Sequence, residues 1–243
     1  MKVRMYNVGF GDCFCLRDRK KSLLVDFGTN NSRIEGRPRR EIFDVIISDL
    51  STIKSKNLLL THFHMDHLSG LLYMMKKKDI SVDFGKIYLP DVFSKKEMSR
   101  TLVLLLLADL LKESGLPSRQ VSLFALVDAL LENKQNVELL SRGKLFENKY
   151  QALWPDTDVI RKETDEVYNR ICEDGKFKEV MDVLLEFAEK LRLIVWSMTA
   201  EGNKPAETVE KETDLTASEL TEQPEVRQKI IRAYVYELSL IHI

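Results

Sequence analysis

Histidine is scarce in this chain, with four among 243 residues, and the scarcity makes their placement informative. Cysteine is scarcer still. Three cysteines, at positions 13, 15 and 172, supply no spacing framework for a disulfide-stapled domain, and they favour a reducing compartment, so the chain reads as cytoplasmic. Cys13 and Cys15, two apart in an extended segment, share one face and read as core. A dominant charge is also missing: the net charge of −1 gives no global attraction to nucleic acid. No apolar run is long enough to cross a bilayer. Residues 102–107 are strongly apolar, but the run ends at Asp109, well short of the ~20 residues of a spanning helix, which makes it a buried helix. The start, Met1-Lys-Val-Arg4, leads directly into a strand pattern with no signal peptide. No internal repeat is present. Hydrophobic residues at 44% suffice for a core, and the length allows one large domain or one and a half.

Three of the four histidines fall together, in Leu58-Leu-Leu-Thr-His-Phe-His-Met-Asp-His-Leu-Ser-Gly70. This is an H-x-H-x-D-H signature at the end of an apolar run. His62, His64, Asp66 and His67 supply the neutral nitrogen and oxygen donors that divalent zinc prefers. The plainer alternatives are a polar surface loop or a structural zinc site. A structural site, however, normally closes with four protein ligands and usually draws on cysteine.

The order of elements around the motif is equally telling. Residues 2–8 and 14–16 read as strands around Gly9-Phe-Gly-Asp12. Residues 22–26 form a buried strand ending in Asp26-Phe-Gly28, and a polar loop precedes a helix over about 40–50. A strand at 57–60 delivers the histidines, a helix follows at 68–77, and a strand at 86–90 closes the series. On these residues the chain resembles the metallo-β-lactamase fold superfamily of metal-dependent hydrolases. Val8-Gly-Phe-Gly-Asp12 and the later Leu153-Trp-Pro155 are most similar to the hydrolase domain of ComEC-type DNA-uptake proteins and their soluble relatives.

The resemblance implies an α/β fold, with residues 1–92 as the N-terminal half of an αββα sandwich. It implies two zinc ions, the first on His62 and His64 and the second on Asp66 and His67. The zinc ions would lower the pKa of a bridging water that attacks an electrophilic phosphorus or carbonyl. Asp66 would also act catalytically, orienting that hydroxide. Asp26 would stand behind the ligands and hold a ligand histidine's other N–H, though a turn-forming Asp before Gly28 explains it too. Asp12 resembles a position near the site floor; an Asx-turn explains it equally well. Thr61 and Ser69 could hydrogen-bond the site, with helix capping the simpler use of Ser69.

The substrate is less legible. Arg33, Arg37, Arg39 and Arg40 crowd one loop against a single glutamate, Glu35. Arginine forks suit phosphates, which favours a phosphodiester or nucleic-acid substrate, and a plain solvated loop is the alternative. Lys76-Lys-Lys78 closes a helix, where cations complement the dipole without any ligand. Two other readings stay open: a thioester or lactam hydrolase, and a non-catalytic module whose helical regions dock a protein partner.

Residues 93–152 read as a helical insertion, serving as a lid or a docking surface, and 153–200 as a continuation with helices. In the latter, Asp156 or Asp158 caps a helix through Cys172 that Gly175 closes, and a second helix runs over 177–197. Residues 201–225 carry eight acidic side chains against Lys204 and Lys211 and read as a solvated linker; 226–237 read as a helix. Leu238-Ser-Leu-Ile-His-Ile243 back-translates into the transposon mosaic end used in sequencing libraries. Residues 238–243 are therefore expected to be an artefact, and His242 is excluded as a ligand. A dinuclear site needs further ligands after His67, and no other histidine follows. The expectation is a C-terminally truncated chain, inactive alone, whose parent is the enzyme. A half-sandwich would also leave apolar sheet surface exposed.

Overall fold

The computed structural model describes residues 1–18, 21–77, 83–113, 123–173 and 175–202. The expected linker beyond Gly202, the helix at 226–237 and the 238–243 hexapeptide with His242 lie outside the described residues, as does Lys78.

In chain order the elements begin with β1 (Lys2–Met5), β2 (Phe14–Asp18), β3 (Lys21–Val25), β4 (Arg33–Ile34) and β5 (Arg37–Pro38). Next come α1 (Arg39–Ser51), β6 (Ser55–Leu59), α2 (Met65–Met75) and β7 (Ile87–Pro90). A 3-10 turn (Lys96–Met98) then leads into α3 (Ser99–Glu113) and α4 (Leu123–Glu132). The series ends with β8 (Val137–Leu140), β9 (Leu145–Phe146), β10 (Tyr150–Gln151), α5 (Thr157–Cys172) and α6 (Gly175–Ser197). The chain divides into two compact units, Met1–Pro90 with Ser118–Trp154, and Asp91–Pro117 with Pro155–Ile243.

The first unit is mixed α/β. Its sheet runs β1-β2-β3-β6-β7-β8, antiparallel from β1 to β3 and parallel from β3 to β8. Register pairs share a face, so the sheet's two sides can be read off directly. Cys15, Leu24, Leu58, Ile87, Leu89, Val137 and Leu139 line one side, and all are buried. α1 lies on this side, its Asp49 reaching Arg4 and Arg17 on the same face as Cys15. On α1, Ile42, Phe43, Ile46, Ile47 and Leu50 recur at helical spacing and are buried. On the other side Leu23, Tyr88 and Leu140 gather under Phe146 and Ala152, near the β9–β10 hairpin. Toward β1 that cover ends, and Val3 and Met5 are 60% and 73% exposed. Among the described residues there is no second large sheet to meet this face.

A carboxylate on α1 fastens the antiparallel edge. Asp49 accepts from the Tyr6 hydroxyl, from Arg17 Nη2 at 3.0 Å and from Arg4 Nη1 at 2.7 Å. Burial, followed by the neighbouring Asp49, pushes the Tyr6 phenol well above its ordinary range. Asp49→Ala should therefore destabilise the chain by about 1–3 kcal/mol, the usual cost of stranding part-buried donors. Urea unfolding of the variant measures this, and an unchanged midpoint would show the hub to be idle.

Two expectations need correction. The helix after the motif starts at Met65, three residues before the expected Leu68. His64 is its extended N-cap residue, the His67 N–H returns to the His64 carbonyl at 3.0 Å, and Asp66 puts an acid in the first turn. Residues 93–152 are not helical throughout, since β8, β9 and β10 fall among them. Strands of two to four residues are too short to register a period of two. The pairing partner of β8 is β7, some fifty residues earlier.

The second unit is helical, with α3 packed against α5 and α6. Leu102, Val103 and Leu106 of α3 and Val180, Met181, Leu184, Ala188 and Leu191 of α6 are buried. Arg100 reaches Asp165 at 2.8 Å and lies over the Tyr168 ring. Asp156 caps α5, accepting from the Asp158 and Val159 amides, and Gly175 opens α6 rather than closing α5. Among the described residues, no helix is long and apolar enough to cross a membrane.

Candidate metal centre

The parallel strands β3 and β6 end side by side, and the loops that leave them carry the polar cluster. Asp26 follows β3 with φ +55°, a left-handed conformation that Asp and Asn tolerate better than most residues. It is 2% exposed. Its Oδ1 accepts from the Thr61 amide at 2.8 Å, and its Oδ2 from the Thr61 hydroxyl at 2.7 Å. Its Oδ2 also lies 2.9 Å from His67 Nδ1.

These bonds fix both tautomers. With Asp26 Oδ2 as the acceptor, His67 carries a proton on Nδ1, and its neutral form leaves the Nε2 lone pair free. The single Thr61 hydroxyl hydrogen goes to Asp26. Toward His62 Nδ1, 3.0 Å away, the Thr61 oxygen can therefore only accept. His62 is then also protonated on Nδ1 and presents Nε2. One carboxylate, directly and through one hydroxyl, thus sets two imidazoles in the form that a metal ion requires.

His62, Asp66 and His67 offer one ligand atom each, and these atoms lie within 4.8 Å of one another. His67 Nε2 is 3.7 Å from Asp66 Oδ2, and the His62 and His67 ring centroids are 3.7 Å apart. Two imidazoles and a carboxylate match the three-ligand set of catalytic zinc sites, which keep a further position open. A second group, Asp12, Asp26 and His67, meets at the other ring nitrogen. Asp12 Oδ2 lies 3.7 Å from His67 Nδ1. Because Nδ1 is committed to Asp26, this group holds His67 in place and does not form a separate metal site.

Burial, then the neighbouring His67 and His64, pushes His62 below the ordinary imidazole range, which keeps it neutral. Burial pulls His67 down too, but the Asp26 hydrogen bond and the Asp26, Asp66 and Asp12 carboxylates outweigh it, and His67 ends above the ordinary range.

The main chain is bolted around this cluster. The Phe27 N–H donates to the His67 carbonyl at 2.7 Å, and the Phe27 carbonyl accepts from Gly70 and Leu71 at 2.8 and 3.1 Å. The Asp12 N–H reaches the Asp66 carbonyl at 3.2 Å. Gly28 sits so close to α2 that a Cβ there would stand 2.6 Å from the Leu68 nitrogen.

The expected ligands lie together. His62 joins Asp66 and His67, while His64 stands at the N-cap with its ring edge-on to His62, centroids 4.7 Å apart. Ser69 does not cap a helix; its hydroxyl accepts from the Thr29 amide and donates to the Thr29 carbonyl, both at 2.9 Å. Arg33, Arg37, Arg39 and Arg40 lie on or next to the β4–β5 hairpin, all exposed. Leu153 and Trp154 are exposed as well, at 79% and 58%. Thr61 as the link between Asp26 and His62 escapes sequence reading, because its partner lies 35 residues away.

Residues 6–91 match the Metallo-beta-lactamase superfamily. The matched segment contains every member of the cluster. The chain is also similar to endoribonuclease YSH1 of Mycosarcoma maydis, 32% identical over 77 residues. That match covers 32% of this chain and 8% of the relative, so the chain spans a small part of that much longer protein. No solved structure matches significantly.

Proposed function

We propose that the superfamily segment is a metal-dependent phosphodiesterase centre, acting on nucleic acid, with zinc on His62, Asp66 and His67. The observation that carries this is the convergence of those three donors, with both histidines set to present Nε2. A bound zinc ion would supply Lewis acidity and lower the pKa of a water at its open position. Asp26 and Thr61 fix the imidazole tautomers, and Asp66, 30% exposed at its side chain, can also orient the attacking oxygen. Similarity to a protein named as an endoribonuclease and the exposed arginines at 33, 37, 39 and 40 favour a nucleic-acid phosphodiester over a thioester or lactam. The loop at Val8–Asp12 beside the cluster is what favours a ComEC-type relationship. A second zinc on His64 would need donors beyond those that the described residues bring together there. The buried, unpaired Cys13 and Cys15 fit a reducing, cytoplasmic setting.

The test is zinc titration by calorimetry, alongside turnover of bis-p-nitrophenyl phosphate, a single-stranded oligonucleotide and a thioester. The expected result is one zinc per chain, abolished in His67→Ala, with phosphodiester turnover appearing only when zinc is loaded. Thioester turnover without phosphodiester turnover would reassign the substrate, and zinc binding unchanged in His67→Ala would remove the centre.

A further inference from the structure

Phe10 is 80% exposed, yet its backbone has almost no freedom. Its N–H donates to Asn31 Oδ1 at 2.8 Å, and its carbonyl accepts from the Asn30 amide at 2.8 Å and the Thr29 hydroxyl at 3.2 Å. Gly9 before it takes φ +71°. Gly11 after it is pressed onto the site, where a Cβ would lie 2.3 Å from the Gly28 carbonyl and 2.7 Å from the Asp66 carbonyl. Asp12, which faces His67, comes next. Two residues of chain reach at most about 7 Å, so an aromatic ring is presented to solvent at the rim of the metal cluster on a fixed support.

The same loop is tied to the arginine hairpin. Asn31, which holds Phe10, lies two residues before Arg33, and Asn7 Nδ2 donates to Glu35 Oε1 at 2.8 Å, joining the Phe10 loop to the β4–β5 turn. Arg33 and Arg37 flank that turn, both exposed. An exposed aromatic beside exposed guanidinium groups is the pairing that single-stranded nucleic acids select. Bases stack on the ring whatever their identity, and the cations follow the phosphates. A lipid or protein partner would call for a broader apolar patch, whereas Phe10 is flanked by glycines and polar side chains.

We propose that Phe10 is the stacking platform for a base next to the cleaved phosphodiester of a single-stranded nucleic acid, with Arg33 and Arg37 along the adjoining phosphates. This rests on the phosphodiesterase reading and adds the part of the substrate beyond the phosphate. Phe10 sets affinity and register and takes no part in the chemistry.

The experiment measures anisotropy of three labelled probes: a short oligoadenylate, its deoxy counterpart and an abasic strand of the same length. Each is titrated with the wild-type chain and with Phe10→Ala, Phe10→Leu and Phe10→Trp, zinc stoichiometry serving as the folding control. Phe10→Ala should weaken oligoadenylate binding about 5- to 150-fold, the equivalent of ~1–3 kcal/mol per stacked base, and leave the abasic strand unchanged. Phe10→Trp should bind at least as tightly as wild type, and Phe10→Leu should behave like Phe10→Ala. If wild type binds the base-bearing probes and Phe10→Ala binds them equally, the platform is wrong while the phosphodiesterase reading stands. If Phe10→Leu restores binding, a general apolar contact replaces stacking and the proposal falls. If the zinc-loaded wild type binds none of the probes, the nucleic-acid reading falls and the platform with it.

Discussion

Asp26→Asn is expected to leave the chain folded while weakening zinc binding about 10- to 100-fold, the range over which partners behind a metal ligand act. Asparagine tolerates the left-handed backbone at this position, and its carbonyl can still accept the Thr61 amide. Its NH2 group, however, takes the place of the Oδ2 atom that now accepts from His67 Nδ1 at 2.9 Å. A donor there turns the ring to the other tautomer, with the proton on Nε2, and the nitrogen facing Asp66 stops being a ligand. Asp26→Ala should behave differently. It strands the Thr61 amide and hydroxyl and the His67 N–H in a buried setting, and should cost the fold about 3–5 kcal/mol. Calorimetric zinc titration and urea unfolding of both variants separate the two effects. Tight zinc binding by the asparagine variant would mean that Asp26 does not control the His67 tautomer.

The second large effect concerns packing. Gly28→Ala should destabilise the chain by about 3 kcal/mol or more, the upper end of overpacking costs, and reduce zinc binding with it. The added Cβ would meet the Leu68 nitrogen at 2.6 Å and the Asp66 carbonyl carbon and oxygen at 2.7 Å. All of these are backbone atoms of the first turn of α2, so relief requires moving that turn away from the 26–29 loop. Gly36→Ala is the control: nothing lies within 4 Å of its Cβ, and only the φ of +79° resists, for about 1–2 kcal/mol. Thermal and urea unfolding of the two variants checks the contrast, and equal losses would show that the loop yields.

Much of the first unit is legible in the sequence, because its signals are local. β3 and the end of β6 carry apolar runs, α1 repeats its buried residues at helical spacing, and the histidines stand in a compact motif. Where α2 begins is less legible. It turns on a single N-cap residue, His64, which no spacing in the motif marks. The roles of Thr61 and Asp12 depend on loops that meet across more than thirty residues, and no period or spacing encodes such a meeting. β8 is hidden for a related reason: four residues gain their meaning from a distant partner strand. Ser69 shows the opposite failure, where a good local explanation, capping, yields to a long-range one at Thr29.

Main-chain hydrogen bonds from Phe27, Gly70, Leu71 and Asp12, together with the Ser69 hydroxyl on Thr29, join the Asp26–Thr29 turn and the Asp12 loop to the start of α2. None of them awaits an ion. A metal reaching His62, Asp66 and His67 meets donors already in register, and its binding free energy is not consumed in ordering a loop. In small zinc domains, loss of the ion means loss of the fold. Here, zinc removal with a chelator is expected to leave the urea-unfolding midpoint nearly unchanged, and loss of the fold on chelation would show that the scaffold depends on the ion.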